Sequence, residues 1–152
     1  MKPGPVFLID QRRDRDIAYC ADIWLAASIA GHAFIPEAFW QGQHQAMCDR
    51  YLPQARIRLA CMGGEILGFS AMRERTLEAL FVLPAHWSKG IGTLLLRDVM
   101  GGSTTVKLAA YAQNKRAIDF YTRAGFVPGH TDRCPNTGEQ QIHFSWQRGA
   151  AK

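Results

Sequence analysis

The sequence predicts an α+β fold: one mixed, mostly antiparallel sheet with helices on both faces. Short segments with alternating apolar residues follow one another across tight turns, which favours antiparallel strands. Other segments place their apolar residues at helical spacing, and two of these helices each lie between two strands, as crossover connections do. At 152 residues the chain has the length of one domain, and we expect a single domain over residues 1–152.

The N-terminal part is predicted to contain one short strand and one long helix. Residues 6–9 form an apolar run of strand length. Residues 14–29 have apolar side chains at helical spacing, and Asp14 or Asp16 is suitably placed to cap this helix. Gly31 is expected to end it.

A second helix and a three-stranded meander are predicted next. Pro36 suits the first turn of a helix over about residues 36–51. The following segments alternate as strands do, and two consecutive glycines supply the first hairpin turn. The predicted strands of the meander are residues 55–62, 65–73 and 76–83.

The C-terminal half alternates between helices and strands. Asn114 is an N-cap residue by type, and Gly125 follows the last apolar position of the same helix. The predicted elements are a helix over residues 92–100, a strand over 104–111, a helix over 114–125, and a closing pair of strands over 127–132 and 140–146.

Composition excludes several classes of protein. No apolar run reaches the roughly 18 residues that would span a bilayer, and the N-terminus has no signal-peptide pattern. The four cysteines are scattered, which favours reduced thiols and a cytoplasmic location. The formal net charge of +5 is spread along the chain, so we expect neither a nucleic-acid partner nor a membrane partner. No group of His, Cys, Asp and Glu has metal-ligand spacing, and we expect no metal.

The segment "WSKGIG" at residues 87–92 lies where a strand passes into a helix. A strand–helix turn needs one glycine at most, but this one has Gly90 and Gly92. Glycines allow a ligand to approach the backbone closely, and the first turn of a helix offers unpaired N–H groups with a partial positive charge. The pattern therefore predicts either a plain tight turn or an anion site, and the motif that follows favours the anion site.

The sequence resembles the GNAT superfamily of acyl-CoA-dependent N-acetyltransferases over nearly its whole length. "LFVLPAHWSKGIGTLLL" is similar to the family's phosphate-binding strand, Gly-rich loop and helix, and "NKRAIDFYTRAGF" is similar to its second motif. The segment "WLAASIAGHAFIPEAFW" also resembles small bacterial members. Trp87 departs from the family, which often has Gln or Arg there, and Lys89 partly offsets the missing polar group.

The resemblance implies that acetyl-CoA is the co-substrate. Its pyrophosphate would meet the backbone of the Gly-rich loop, and its pantetheine arm would run along the preceding strand as an added strand does. The second motif would hold the arm, with Asn114 as cap and contact. The implied cofactor-binding residues are Leu80, Phe81, Val82, Trp87, Ser88, Lys89, Gly90, Ile91, Gly92, Thr93, Asn114, Ala117 and Phe120.

The chemistry requires a proton acceptor and a proton donor. A lysine amine with a pKa of about 10.4 is neutral in only about one molecule in 2,500 at pH 7, so a base is useful. Glu78 is the candidate base, because strict strand alternation places it on the same face as Leu80 and Val82; the alternative is an exposed charge at the strand end. By resemblance, Tyr121 is the candidate acid for the leaving thiolate; the alternative is a half-buried core residue.

The acceptor side is less specific. By resemblance, residues 31–40 would line the acceptor site, and the candidates there are His32, Phe34 and Trp40. The alternative for each of them is a structural role in the core. The resemblance implies direct acetyl transfer to a primary amine, with a protein lysine favoured over a peptide N-terminus or a small amine. A non-catalytic acyl-CoA-binding or sensing module is the alternative function, and the chain is expected to be a monomer or a homodimer.

Overall fold

The computed structural model describes residues 5–11 and 13–149, so both ends of the domain predicted for residues 1–152 lie outside the described residues. The described chain contains seven strands and four α-helices in the predicted order. Their bounds are β1 Phe7–Asp10, α1 Asp14–Gly31, α2 Glu37–Ala46, β2 Arg56–Met62, β3 Glu65–Arg73, β4 Thr76–Val82, α3 Ile91–Gly101, β5 Thr105–Tyr111, α4 Lys115–Arg123, β6 Val127–Arg133 and β7 Gln140–Gln147.

All seven strands form one sheet in the order β1-β2-β3-β4-β5-β7-β6. Only β4 and β5 are parallel, and the other neighbours are antiparallel, which confirms the mixed, mostly antiparallel sheet. Among the described residues, β4 and β5 share a single register pair, Thr76 with Lys107. The two strands are therefore not bonded to each other toward their C-terminal ends, and a gap opens in the middle of the sheet.

Helices cover both faces of the sheet, as predicted. On one face, α1 packs with Cys20 and Trp24 against Phe69 and Ala71 of β3. We call this the α1 face. On the opposite face, which we call the α3 face, apolar side chains of α3 and α4 cover the inner strands. The buried residues there include Leu67, Met72, Leu77, Leu95, Leu96, Val99 and Val106.

One detail of the predicted helices is confirmed and another is wrong. Arg13 is the N-cap residue of α1, and its backbone N–H donates to the Asp16 carboxylate at 3.1 Å, so Asp16 caps the helix as predicted, from its first turn. The second helix does not remain α-helical to residue 51, because a π-helical turn, Met47–Tyr51, follows α2 and a 3₁₀ turn, Leu52–Gln54, follows it.

Glycines end the elements where the sequence places them. Gly63 and Gly64 both have positive φ, as a two-residue hairpin turn of this kind requires. Gly125 has a φ of +104° after α4, where its N–H donates to Thr122 and the Phe126 N–H donates to Tyr121. No helix among the described residues is long and apolar enough to cross a membrane.

Candidate active site

The N-terminus of α3 lies at the end of the Gly-rich loop. Gly90 is the N-cap of α3, with a φ of +84° that favours glycine. A Cβ atom at Gly90 would meet nothing within 4 Å, so the space in front of this residue is open. Ile91 is 4% exposed and packs beside Leu67 and Leu95, which anchors the loop in the core as predicted. The first N–H groups of α3 have no partner within the helix.

Gly92 has a different reason to be glycine. A Cβ atom there would lie 3.5 Å from the Phe120 ring and 3.9 Å from Leu80. Gly92 therefore brings α3 close to α4 and β4, and the implied cofactor residues Leu80, Gly92 and Phe120 meet at one point.

The polar residues of the loop face solvent. Ser88, Lys89 and Thr93 are exposed, and Ser88 has a left-handed φ of +65°. Lys89 Nζ lies 3.5 Å from Nδ1 of His86. The loop thus presents one ammonium and two hydroxyl groups on its outer side.

Trp87 joins three elements. Its indole N–H donates to the Val82 carbonyl at 2.8 Å, at the end of β4. The guanidinium of Arg116, in the first turn of α4, lies 4.2 Å from the indole ring centre, within cation–π range. The residue that departs from the family pattern therefore holds the guanidinium of Arg116 against its ring, in addition to Lys89, which was expected to offset part of the missing polar group.

The predicted pantetheine strand borders the gap in the sheet. Leu80 packs on the α3 face, and Val82 is 7% exposed on the same face. Phe81 points to the α1 face, with its ring centre 6.2 Å from that of Phe69. On its other edge β4 pairs fully with β3, so the edge toward β5 is the one left open.

A cavity of about 230 Å³ opens on the α1 face. Ala79 of β4 and Tyr111 of β5 both line it, so it borders the gap between these two strands. Most of its wall is apolar and aromatic, and Glu78 is the acidic residue in it. The other lining residues are Trp24, Phe39, Trp40, Gln43, Met47, Tyr51, Leu52, Ala55, Ala71 and Asn136.

Glu78 reaches this cavity because β4 contains a bulge. Ala71 of β3 pairs with Ala79 and the next residue, Met72, pairs with Leu77, so Glu78 is the extra residue. The prediction that Glu78 shares a face with Leu80 and Val82 was wrong: Glu78 lines the cavity on the α1 face. Its side chain is 32% exposed, and its Oε1 lies 4.0 Å from Nε of Arg73.

His32 and Asn114 form a hydrogen-bonded pair behind the cavity. The Asn114 side-chain oxygen accepts from the Ala117 N–H at 3.1 Å, which confirms the predicted N-cap of α4. Its amide nitrogen, which can only donate, lies 3.1 Å from Nε2 of His32. Nδ1 of His32 lies 3.0 Å from the Ser28 carbonyl, so Nδ1 carries the proton and Nε2 accepts. His32 is therefore neutral, and burial lowers its pKa.

The aromatic candidates for the acceptor site have different positions. Trp40 is 5% exposed and lines the cavity, and His32 stacks on it with ring centres 5.1 Å apart. Phe34 packs edge-on against His32 and Tyr111. Of the three candidates only Trp40 is in the cavity wall, and neither His32 nor Phe34 lines it.

Tyr121 lies on the α3 face of the molecule. Its ring packs against Phe120, Phe126 and Phe144. Burial raises the pKa of its phenol well above the ordinary value, so the protonated form is present at neutral pH. Its hydroxyl has no hydrogen-bond partner among residues 5–11 and 13–149.

Sequence reasoning missed Tyr111. Its ring lines the cavity and lies edge-on to His32, and its hydroxyl donates to Sγ of Cys134 at 3.4 Å. Burial and this contact raise the pKa of Tyr111 to about 12. Burial raises the pKa of the Cys134 thiol, but hydrogen bonds from Thr137 and Tyr111 outweigh it, so the pKa lies below its ordinary value. The signal in the sequence was its position as the last residue of the predicted strand over 104–111.

Sequence reasoning also missed a group with metal-ligand geometry. His130, Asp132 and His143 lie together on β6 and β7, with one ligand atom from each within 4.8 Å of the others. All four cysteines are free thiols, as predicted.

Comparison with known proteins agrees with the fold and identifies the family. A family model described as an acetyltransferase (GNAT) domain matches residues 53–128. The peptidyl-lysine N-acetyltransferase YiaC of Escherichia coli is 31% identical over 89% of this chain and 91% of its own length. The chain therefore belongs to the GNAT family and is an acetyltransferase.

Solved structures match the fold over almost the whole chain. The solution structure of apo YjaB from Escherichia coli superposes with a TM-score of 0.82 at 19% identity, covering 96% of this chain and 99% of that one. The PaiA N-acetyltransferase of Thermoplasma acidophilum, solved in complex with coenzyme A, has a TM-score of 0.76 at 16% identity, covering 93% and 99%.

Proposed function

We propose that this chain is a single N-acetyltransferase domain that moves an acetyl group from acetyl-CoA directly to a primary amine, with a protein lysine as the favoured acceptor. One observation carries the proposal: the gap between β4 and β5 is bordered both by the open N-terminus of α3 and by the cavity that contains Glu78. The first feature suits phosphate, and the second suits an ammonium group.

The residues around the gap fit acetyl-CoA. The open space before Gly90 and the first N–H groups of α3 suit the pyrophosphate, and Lys89 and Arg116 add positive charge nearby. The unpaired edge of β4 at residues 80–82 suits the amides of the pantetheine arm. When bound, acetyl-CoA supplies an activated acetyl group as a thioester.

The cavity fits a lysine side chain. Its aromatic walls suit the methylene chain, and Glu78 offers a carboxylate to the ammonium end. The name of YiaC, a peptidyl-lysine N-acetyltransferase, supports the same acceptor. A peptide N-terminus or a small amine remains the alternative to be separated by experiment.

Two side chains handle protons in the proposed reaction. Glu78 accepts a proton from the ammonium, directly or through water, so that the neutral amine attacks. Tyr121 donates a hydrogen bond from its hydroxyl to the departing thiolate, and the second amine proton, which is lost when the amide forms, passes to that thiolate to give the free thiol of CoA. Because a thiol has an ordinary pKa near 8.5 and burial raises the pKa of Tyr121, full proton transfer is uphill, and Tyr121 acts mainly by hydrogen bonding.

Thiol release from acetyl-CoA with a lysine peptide tests this proposal. Tyr121→Phe keeps the ring and its packing but removes the hydroxyl, so kcat should fall by at least about tenfold while the Kd for acetyl-CoA stays nearly unchanged. Tyr19→Phe, at an exposed tyrosine of α1, is the matched control and should keep full activity. Near-normal kcat in Tyr121→Phe would make Tyr121 a packing residue.

Glu78→Gln is tested in the same assay over a range of pH. The variant should lose most activity near pH 7 and recover toward higher pH, where more of the amine is already neutral. Glu74→Gln removes another exposed carboxylate four residues earlier and serves as control. Superimposable pH–rate profiles for wild type and Glu78→Gln would remove Glu78 as the base, and comparison of lysine peptides with N-terminal amines identifies the acceptor class.

A further inference from the structure

The C-terminal hairpin of β6 and β7 brings two histidines and one aspartate together. His130 and Asp132 are two residues apart on β6, and His143 lies opposite on β7. We call these three residues the hairpin cluster. They are far apart in sequence from the Gly-rich loop, and none of them lines the cavity of the candidate active site.

A β-bulge produces this arrangement. Pro128 pairs with Phe144 and Thr131 pairs with Ile142, so Gly129 and His130 together oppose the single residue His143. The two imidazole rings stack with centres 4.1 Å apart and planes 11° from parallel. Gly129 permits the close approach, because a Cβ atom there would lie 3.3 Å from the His143 carbonyl.

The ligand atoms are close to coordination distance. Nε2 of His143 lies 3.0 Å from Oδ1 of Asp132, and one ligand atom from each residue lies within 4.8 Å of the others. Two ligands of one tetrahedral Zn²⁺ ion, each at about 2.0–2.1 Å from it, are about 3.3 Å apart. The third ligand atom comes from His130, whose side chain is exposed.

We propose that the hairpin cluster binds one first-row divalent transition-metal ion, for which Zn²⁺ is the test ion. Two imidazole nitrogens and one carboxylate oxygen suit Zn²⁺, Co²⁺, Ni²⁺ and Cu²⁺, whereas Mg²⁺ and Ca²⁺ prefer oxygen ligands throughout. Three protein ligands leave at least one position for water. The side chains of His143 and Asp132 are 31% and 48% exposed, so the ion has access from solvent.

A metal ion in the hairpin cluster would also affect the loop that connects β6 to β7. Residues 134–139 connect β6 to β7, and this loop carries Asn136 in the cavity wall and Cys134 in contact with Tyr111. A metal ion bound to both strands fastens them together at the base of that loop. Binding should therefore stabilise the hairpin and the cavity wall next to it.

Calorimetry and thermal unfolding of the full chain, freed of metal by a chelator, test the proposal. We expect one Zn²⁺ per chain and a rise in Tm, because the site exists only in the folded state. His130→Gln and His143→Gln should each weaken Zn²⁺ binding by at least about tenfold. His44→Gln is the matched control, because His44 pairs with Asp22 at 2.8 Å on the surface but belongs to no three-ligand group among the described residues.

Two further measurements make the result unambiguous. Cys134→Ser should keep Zn²⁺ binding, which excludes the free thiol as the ligand. In NMR spectra of the wild-type protein, Zn²⁺ should shift the ring signals of His130 and His143 and leave those of His44 unchanged. Absence of Zn²⁺ binding, or binding that survives in both histidine variants, would overturn the proposal and leave the cluster as a stacked cross-strand pair.

Discussion

A single buried histidine connects the two sides of the candidate active site. His32, at the end of α1, contacts Asn114 at the start of α4, 82 residues further along the chain. Both ring nitrogens of His32 are committed, one as donor to Ser28 and one as acceptor from Asn114. A second proton on the ring would face the amide of Asn114, which has only N–H groups on that side, so the folded state favours neutral His32.

This arrangement predicts how stability depends on pH. The pKa of His32 is lowered from 6.5 in the folded state by burial, so the unfolded chain takes up the proton first as pH falls. The contribution of His32 to the free energy of unfolding is therefore complete above about pH 6.5 and decreases below it. Denaturant unfolding at several pH values should show a smaller loss below pH 6.5 in His32→Gln than in wild type.

The control for this measurement is again His44→Gln, whose imidazole is on the surface. Its unfolding free energy should follow the wild-type pH dependence more closely than that of His32→Gln. If the free energy of unfolding falls equally with pH in wild type and His32→Gln below pH 6.5, the folded state protonates His32 as readily as the unfolded chain does. That result would contradict the hydrogen bonds described above.

At the scale of elements, α4 depends on one side chain at its start. The Asn114 oxygen caps the helix, and the Asn114 amide supports His32. Asn114→Ala loses the cap, at about 0.5–2 kcal/mol, and leaves a buried acceptor on His32 unpaired, at about 1–3 kcal/mol. We expect the free energy of unfolding to fall by about 2–4 kcal/mol, measured by denaturant titration.

Asn114→Asp separates the two functions of this residue. Aspartate keeps the capping oxygen but offers no N–H group to Nε2 of His32. The variant should lose less stability than Asn114→Ala near pH 6, where a protonated His32 can donate to the new carboxylate. Equal losses in both variants at every pH would show that the lost hydrogen bond to His32, and not the cap, accounts for the effect.

The sequence predicts these elements well because a few neighbouring residues are enough to specify each of them. Asn114 and Gly125 mark α4, and the two glycines at residues 63 and 64 mark the first hairpin, by their own conformational preferences. The position of Glu78 was predicted wrongly for the opposite reason. Strict alternation assumes an unbroken register, but the bulge opposite Ala71 and Met72 is set by pairing with β3.

Contacts across the sheet explain what else the sequence does not reveal. Pairing of β6 with β7 assembles the hairpin cluster, and its bulge brings His130 next to His143. The partnership of His32 with Asn114 and the stacking of Arg116 on Trp87 likewise join residues distant in sequence. Motif spacing identifies the Gly-rich loop, but it does not indicate which side chains meet across the gap.

At the scale of the whole molecule, the gap between β4 and β5 divides the sheet into two parts. The strands β1–β4 with α1 and α2 lie on one side of it, and β5–β7 with α4 lie on the other. The contacts that bridge the gap include the pair of Thr76 with Lys107, the bond between His32 and Asn114, and the stacking of Arg116 on Trp87. A ligand in the gap would add contacts to both sides at once.

Acetyl-CoA should therefore stabilise the chain as a whole. A ligand that binds only the folded state at 100 times its Kd adds about 2.7 kcal/mol, which raises Tm by about 5–10 °C in a domain of this size. Amide hydrogen exchange should slow in the β4 segment of residues 80–82 and at the start of α3, because these groups gain hydrogen-bond partners. S-acetyl-pantetheine, which lacks the nucleotide and its phosphates, should protect the β4 segment but give little protection at the start of α3. Unchanged Tm at millimolar acetyl-CoA, or protection confined to β6 and β7, would show that the gap is not the cofactor site.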